Sequence, residues 1–309
     1  WHILPVAEVD NENGLLRTAS PISQPLQRCK KAMSGPQAHR IRLENVPQGL
    51  TEPGTWWLDA KHNRLFLWPH DESEPTDIEA PVLNEAMRLA GDLERREPVR
   101  NVNIEGLTFT GGERMVMRAD RVSLQHDWEF EDEPNALLRL RGTEEVAVRH
   151  CTFEHSAGTG LRLDRHAQRN RIERNTFHDL GATGILLHGY GPGTRDDNRQ
   201  NTVAQNHLYR IGRMFQASCA IMVSASSDNH VHDNLMHDMP YAAIVLTGPR
   251  TMFFDPAHPK RPYEGGRTID DEALKEVPHA WPHYLGFVHC RYNLIEHNEV
   301  HDVMQELGD

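Results

Sequence analysis

The chain has 309 residues, enough for a sizeable core, with a formal net charge of −12 and a hydrophobic fraction of 38%. Its mean hydropathy of −0.64 is polar for a globular enzyme and ordinary for an elongated fold with a narrow core and large loops. No apolar run reaches the ~18 residues that span a bilayer, and no basic cluster marks a nucleic-acid face, so neither a membrane nor a nucleic-acid partner is expected. Cys29, Cys151, Cys219 and Cys290 show neither CxxC spacing nor the density of a disulfide framework, and read as buried free thiols. The chain opens on Trp1 without a start methionine or signal peptide, and closes on Gly308-Asp309 inside what reads as a motif. It is expected to be a piece of a longer protein.

Residues 1–100 hold just over half of the 19 prolines and no repeat. Trp56-Trp57-Leu58-Asp59 and Arg64-Leu65-Phe66-Leu67 flank the polar turn Ala60-Lys61-His62-Asn63, which predicts a β-hairpin. Arg40–Glu44 alternates like a strand, and Ala86, Leu89, Ala90 and Leu93 suggest a short helix within 80–97. This region reads as a β-rich accessory domain.

From Asn101 a repeat appears. Segments 102–109, 146–153, 171–177, 202–208, 230–236 and 294–300 share an apolar-x-x-Asn-x-apolar pattern, with Leu107 and Cys151 at the Asn position of the first two. The spacings are 24 residues from Cys151 to Asn175, 31 to Asn206 and 28 to Asn234. A turn of three short strands needs a little over ~20 residues, with coils ~4.8 Å apart, and the excess is loop. The step of 64 from Asn234 to Asn298 puts an insertion at about 249–287, which includes Tyr263, Trp281 and Tyr284. Period-2 alternation fits strands, and neither a leucine-rich nor a helical repeat fits. The predicted fold is all-β: a right-handed parallel β-helix over 101–309 behind the accessory domain of 1–100. Asn175, Asn206, Asn234 and Asn298 are expected to form a structural ladder, in which Asn tolerates left-handed geometry and bonds to the next Asn.

Polar turns follow each Asn-x-apolar step. Stacking gathers His178, Asp179, His237, Asp238, His301 and Asp302 along one edge, as structural turn residues or as substrate contacts. Stacked His and Asp are able to hold a metal. No compact motif such as His-Glu-x-x-His occurs, and neither a metal nor a cofactor is expected. The turns after Leu208 and Val300 are longer, and long loops on a rigid scaffold carry function. Phe215 and Tyr241 offer rings to a sugar, Arg213, Gln216 and Gln305 offer hydrogen bonds, and Glu306 and Asp309 offer two carboxylates. The glycine-rich His188–Arg195 stretch lacks a phosphate-cradle pattern and reads as a structured loop with Tyr190 and Arg195 as candidate contacts.

Pro53–Asp59 with Leu65–Pro69, Gly189–Gly193 and Asn298–Asp309 together resemble the β-helix glycoside hydrolases of families 120 and 141, over nearly the whole chain. The resemblance implies a β-sandwich in the N-terminal region, a secreted or periplasmic setting, and a glycoside hydrolase, retaining in type, acting on a plant or algal type poly- or oligosaccharide. It implies Asp309 as the nucleophile and an acid/base Glu on a later coil, with Glu306 the fallback acid within the chain. Two alternatives stand beside it. One is a polysaccharide lyase using His178 or His237 with Arg213; the other is a carbohydrate-binding β-helix without catalysis.

Overall fold

The computed structural model describes residues 5–19, 42–71, 73–114, 135–190, 195–248 and 289–306. The chain divides into two compact units, Gln24–Ala80 and the remainder, Trp1–Ser23 with Pro81–Asp309.

In the smaller unit the predicted hairpin is present, with Trp56–Asp59 antiparallel to Arg64–Leu67. Trp57 stacks on Phe66 with ring centroids 4.9 Å apart, and Asn63 takes the left-handed turn position. The Asn45 amide brackets Leu58, accepting from its N–H at 2.8 Å and donating to its carbonyl at 3.0 Å. Residues 42–44 are not in a strand, and Arg40 and Ile41 lie outside the described residues.

The larger unit contains an antiparallel hairpin, Val6–Asp10 with Leu15–Thr18, and a solenoid built from three parallel sheets of successive coils. The first sheet stacks Asn103–Glu105, Ala147–Arg149, Arg171–Glu173, Thr202–Ala204, His230–His232 and Leu294–Glu296. The second stacks Thr108–Phe109, Thr152–Ser156, Thr176–Leu180, His207–Tyr209, Leu235–His237 and Glu299–His301. The third stacks Met87–Ala90, Leu138–Glu144, Leu161–Gln168, Ile185–His188, Ile221–Ser224 and Ile244–Thr247. This is a parallel β-helix. Its first strand, Met87–Ala90, lies where the sequence suggests a short helix. Met87 and Leu89 alternate with the period of a strand, and pairing with Leu138 and Leu140 overrides local helix propensity. The solenoid therefore begins before residue 100. The 249–287 insertion lies outside the described residues.

Inward residues stack in columns of like shape. Ile104, Val148, Ile172, Val203 and Val231 form one column, and Phe109, Phe153 and Phe177 form another with rings nearly parallel at 4.8 and 4.5 Å. Cys151 and Cys219 are buried free thiols, Cys290 is partly buried, and Cys29 lies outside the described residues. Gly160 and Gly184 lead into the third sheet. A Cβ on Gly184 would lie 2.6 Å from the Ala220 carbonyl oxygen, so only glycine lets the coils close up there.

The asparagine ladder is present, with a correction to its mechanism. The left-handed residue at each corner is the one before the asparagine: Arg174, Gln205, Asp233 and His297. The asparagine turns its amide into the coil stack instead. Each Oδ1 accepts the backbone N–H of the preceding coil, from Cys151 N to Asn175 through Asn234 N to Asn298, at 3.0–3.1 Å. A second ladder, unforeseen in the sequence, runs through Asn170, Asn201, Asn229 and Asn293 at the corner between the third and first sheets.

Candidate functional site

The third sheet has the longest strands, and its outward residues carry a charge pattern. Leucines point inward along Leu138-Arg139-Leu140-Arg141 and Leu161-Arg162-Leu163-Asp164, so the intervening charged residues point outward. Register stacks Arg139, Arg162, Leu186, Met222 and Val245 in one outer column, and Arg141, Asp164, His188, Ser224 and Thr247 in the other. Outward residues of a solvated sheet are usually exposed. Here Arg162 and Asp164 are each 1% exposed, and Arg139 and His188 are also buried.

Buried charges persist only when paired. Arg139 donates to Asp164 Oδ2 through both Nε, at 3.0 Å, and Nη2. Its Nη1 donates to Glu85 at 2.9 Å. Arg162 donates to the other Asp164 oxygen through Nε at 3.2 Å and Nη2 at 3.1 Å. Burial alone would raise the Asp164 pKa; Arg162 and Arg139 outweigh it and hold the carboxyl well below the usual carboxylate range. Burial also disfavours the charge on Arg139, and Asp164 and Glu85 more than restore it. Asp164 is thus a fixed anion that organises two arginines, and it is not a proton donor.

Beside this cluster lie two further cations. Arg141 faces Asp164 across the strand pair, and Arg165 follows Asp164 in the left-handed region, where the register slips before Ala167. Among the described residues neither forms an ion pair. Burial, with Arg165 next, depresses the Arg141 pKa. Tyr190 completes the group, with Arg195 4.0 Å over its ring centroid and Arg165 at 5.9 Å. Farther along the face the surface turns apolar, where Tyr241 and Ala242 pack on Leu186, Cys219, Met222 and Val245.

The His-Asp residues expected at the turns end the strands of the second sheet, on its outer face. Register aligns Glu154, His178, Tyr209, His237 and His301. The rings from His178 to His301 stack at 5.0, 5.3 and 4.9 Å. His178, His237 and His301 each place Nδ1 2.8 Å from the carboxylate of the next residue, Asp179, Asp238 and Asp302. His178 Nε2 lies 3.1 Å from Glu154, and His237 Nε2 lies 2.8 Å from His207 Nε2. Asp179 is also clamped by Arg210 at 2.8 and 2.6 Å; these bonds hold its carboxyl far below the usual range. Both nitrogens of His178 and of His237 are therefore engaged in a structural ladder.

The longer turns give a mixed outcome. Phe215 is 2% exposed, so its ring fills the turn interior and is not offered to a sugar; burial of a large ring outweighs its place in a loop. Arg213 is exposed and Gln216 half-buried. Gln305 and Glu306 are exposed, and their N–H groups donate to the Met239 and Pro240 carbonyls at 3.3 and 3.1 Å. This docks their turn beside Tyr241, at the margin of the third sheet's outer face. Asp309 lies outside the described residues. Among the described residues no group of three or more His, Cys, Asp or Glu side chains is arranged to hold a metal ion.

Residues 97–236 match the family described as the right handed beta helix region. The fold is a right-handed parallel β-helix. A solved structure of a glycoside hydrolase is similar to the chain, with a TM-score of 0.54 and 15% identity over 65% of this chain. The match spans 40% of that protein, and at this identity it shows the fold alone. No curated protein matches the chain.

Sequence reasoning missed Arg139, Arg141, Arg162, Asp164, Arg165 and His188 as site residues. The available signal was the strict leucine alternation around them, which assigns Arg and Asp to the outward side of two consecutive coils. The resulting face pairs a rigid ionic end with an apolar end, an arrangement suited to a ligand that has both hydroxyl or anionic groups and flat apolar surfaces.

Proposed function

We propose that the chain is a carbohydrate-active enzyme of the glycoside hydrolase type. Its substrate is a plant or algal type poly- or oligosaccharide laid along the outer face of the third sheet, in a secreted or periplasmic setting. The observation that carries this reading is the burial of Arg162 and Asp164 to 1% exposure on the outward side of a rigid sheet. Replacing a buried ion cluster by apolar residues is commonly neutral or stabilising, so its presence points to a role other than stability. Likeness of fold to a glycoside hydrolase supports the reaction class.

Hydrolysis needs one ionised and one protonated carboxyl group. Asp309 is the proposed nucleophile and Glu306 the acid available within the chain; the Glu306 turn borders the face through Pro240 and Tyr241. Asp164, saturated by four N–H donors, serves to fix Arg139 and Arg162 rather than to attack. A carboxyl separation of ~5–5.5 Å accords with retention and ~6.5–9.5 Å with inversion.

A second reading has one observation in its favour. The cations Arg141 and Arg165 suit the neutralisation of a uronate, which a lyase needs. Its candidate bases His178 and His237 are occupied in the ring ladder, and they belong to the second sheet rather than to the face that carries Arg141 and Arg165.

Asp309→Asn and Glu306→Gln test the leading reading. A hydrolase loses turnover by roughly two or more orders of magnitude with either change, the scale of a lost general acid or nucleophile. Unchanged turnover in Asp309→Asn removes Asp309 as nucleophile.

A further inference from the structure

Four arginines crowd the ionic end of the third sheet's outer face, and they divide into two pairs. Arg139 and Arg162 spend their donors on Asp164, and Arg139 also on Glu85. Arg141 and Arg165 have no carboxylate partner among the described residues. They lie close enough for Arg165 to depress the Arg141 pKa, after burial. Leaving two cations side by side costs free energy, which a bound anion would recover.

Tyr190 supplies an independent observation. The residue is only 6% exposed, and its hydroxyl has no hydrogen-bond partner among the described residues. A buried hydroxyl left unpaired is destabilising, so native structures seldom contain one without reason. Burial raises the Tyr190 pKa, which keeps the phenol protonated and able to donate. Its ring is held in position by Arg195, which is itself tied to Asp197 at 3.3 Å. The Tyr190 ring, Arg165 and Arg141 thus form one group, with an O–H and two guanidinium forks unused among the described residues.

We propose that Arg141, Arg165 and Tyr190 form an oxyanion subsite that takes the carboxylate or sulfate group of an acidic saccharide. Guanidinium forks match the planar spacing of carboxylate and sulfate oxygens, and a phenol O–H adds a short charge-assisted bond. At the apolar end of the same face the partly exposed Tyr241 suits the apolar face of an adjoining sugar ring. The subsite rests on the carbohydrate reading above and narrows its substrate to anionic sugars, whether the bond is cleaved by hydrolysis or by elimination.

The test is calorimetric titration of the full chain with three oligosaccharide probes of matched length: an oligogalacturonate, a sulfated galacto-oligosaccharide and a neutral galacto-oligosaccharide. At least one acidic probe is expected to bind about tenfold or more tightly than the neutral one, the scale of one charge-assisted contact. The preferred acidic probe identifies carboxylate or sulfate as the group taken. The double variant Arg141→Gln/Arg165→Gln is expected to erase the preference. Tyr190→Phe, which keeps the ring and the packing, is expected to weaken acidic binding several-fold and leave neutral binding unchanged; circular dichroism reports whether each variant is folded. Equal binding of acidic and neutral probes overturns the subsite and leaves the carbohydrate reading standing. An acidic preference that survives in a folded double variant or in Tyr190→Phe also overturns it. Failure of all three probes to bind removes both.

Discussion

The Oδ1 atom of Asn206 accepts both the backbone N–H and the side-chain Nδ2–H of Asn175, each at 3.0 Å. Two coils 31 residues apart in sequence are joined by this one amide, and Asn206 Nδ2 in turn donates to the Ile172 carbonyl and to Asn234. Asn206→Ala orphans several buried polar groups at once, at about 1–3 kcal/mol each when water cannot enter. The expected result is a large fall in the denaturation midpoint. A change within about 0.5 kcal/mol, the range of an ordinary surface substitution, would mean that the ladder contributes nothing to stability.

Gly184→Ala should be nearly as harmful although it adds one carbon. The new Cβ would lie 2.6 Å from the Ala220 carbonyl oxygen and 2.9 Å from Leu208 Cδ2, and neither the backbone nor a core leucine has room to yield. A drop of about 1–3 kcal/mol in chemical denaturation is expected for such overpacking. A wild-type midpoint would show that the coils can part at this corner.

Asp164→Asn leaves Arg139 and Arg162 buried with their shared anion removed. Breaking a buried pair in this way costs roughly 3–5 kcal/mol. Replacing Arg139, Arg162 and Asp164 together by apolar residues is expected to restore most of that loss while abolishing function. A triple variant that keeps full activity would show the cluster to be structural only.

Stability should fall in two stages as pH drops. His207 is depressed below its ordinary 6.5, first by burial and then by His237 and His178. The unfolded chain therefore takes up that proton first, and stability declines as pH falls below about 6.5. Asp179, held low by Arg210, and Asp164, held low by its arginines against the opposing effect of burial, both lie below 3.8. Their contribution is complete above the unfolded value and is lost as pH falls below it. Melting temperatures from pH 8 to pH 3 check both stages, and His207→Gln should flatten the first while leaving the second.

The solenoid was legible because its corners repeat a residue type. Asn175, Asn206, Asn234 and Asn298 mark the spacing, and the flanking Ile172, Val203, Val231 and Ile295 give the inward phase. The second ladder was equally legible, since Asn170, Asn201, Asn229 and Asn293 each stand two residues before the inward Ile172, Val203, Val231 and Ile295, and they repeat the spacing of the first ladder. Met87–Ala90 read as helix because its strand partners, Leu138–Arg141, lie some fifty residues away. The ionic cluster was hidden for a different reason. Arg and Asp are surface residues by default, and sequence does not reveal that Arg162 and Asp164 are buried. Their alternation with leucine shows which way they face, while burial depends on tertiary packing.

Enzymatic action on a saccharide is tested by incubating the full chain with a panel of neutral and acidic polysaccharides. Reducing ends and the ultraviolet absorbance of unsaturated products would be followed together. New reducing ends without that absorbance are expected from at least one acidic polymer, with loss of the signal in Asp309→Asn. Reducing ends accompanied by absorbance would contradict hydrolysis in favour of elimination, and the absence of both signals across the panel would contradict an enzymatic role.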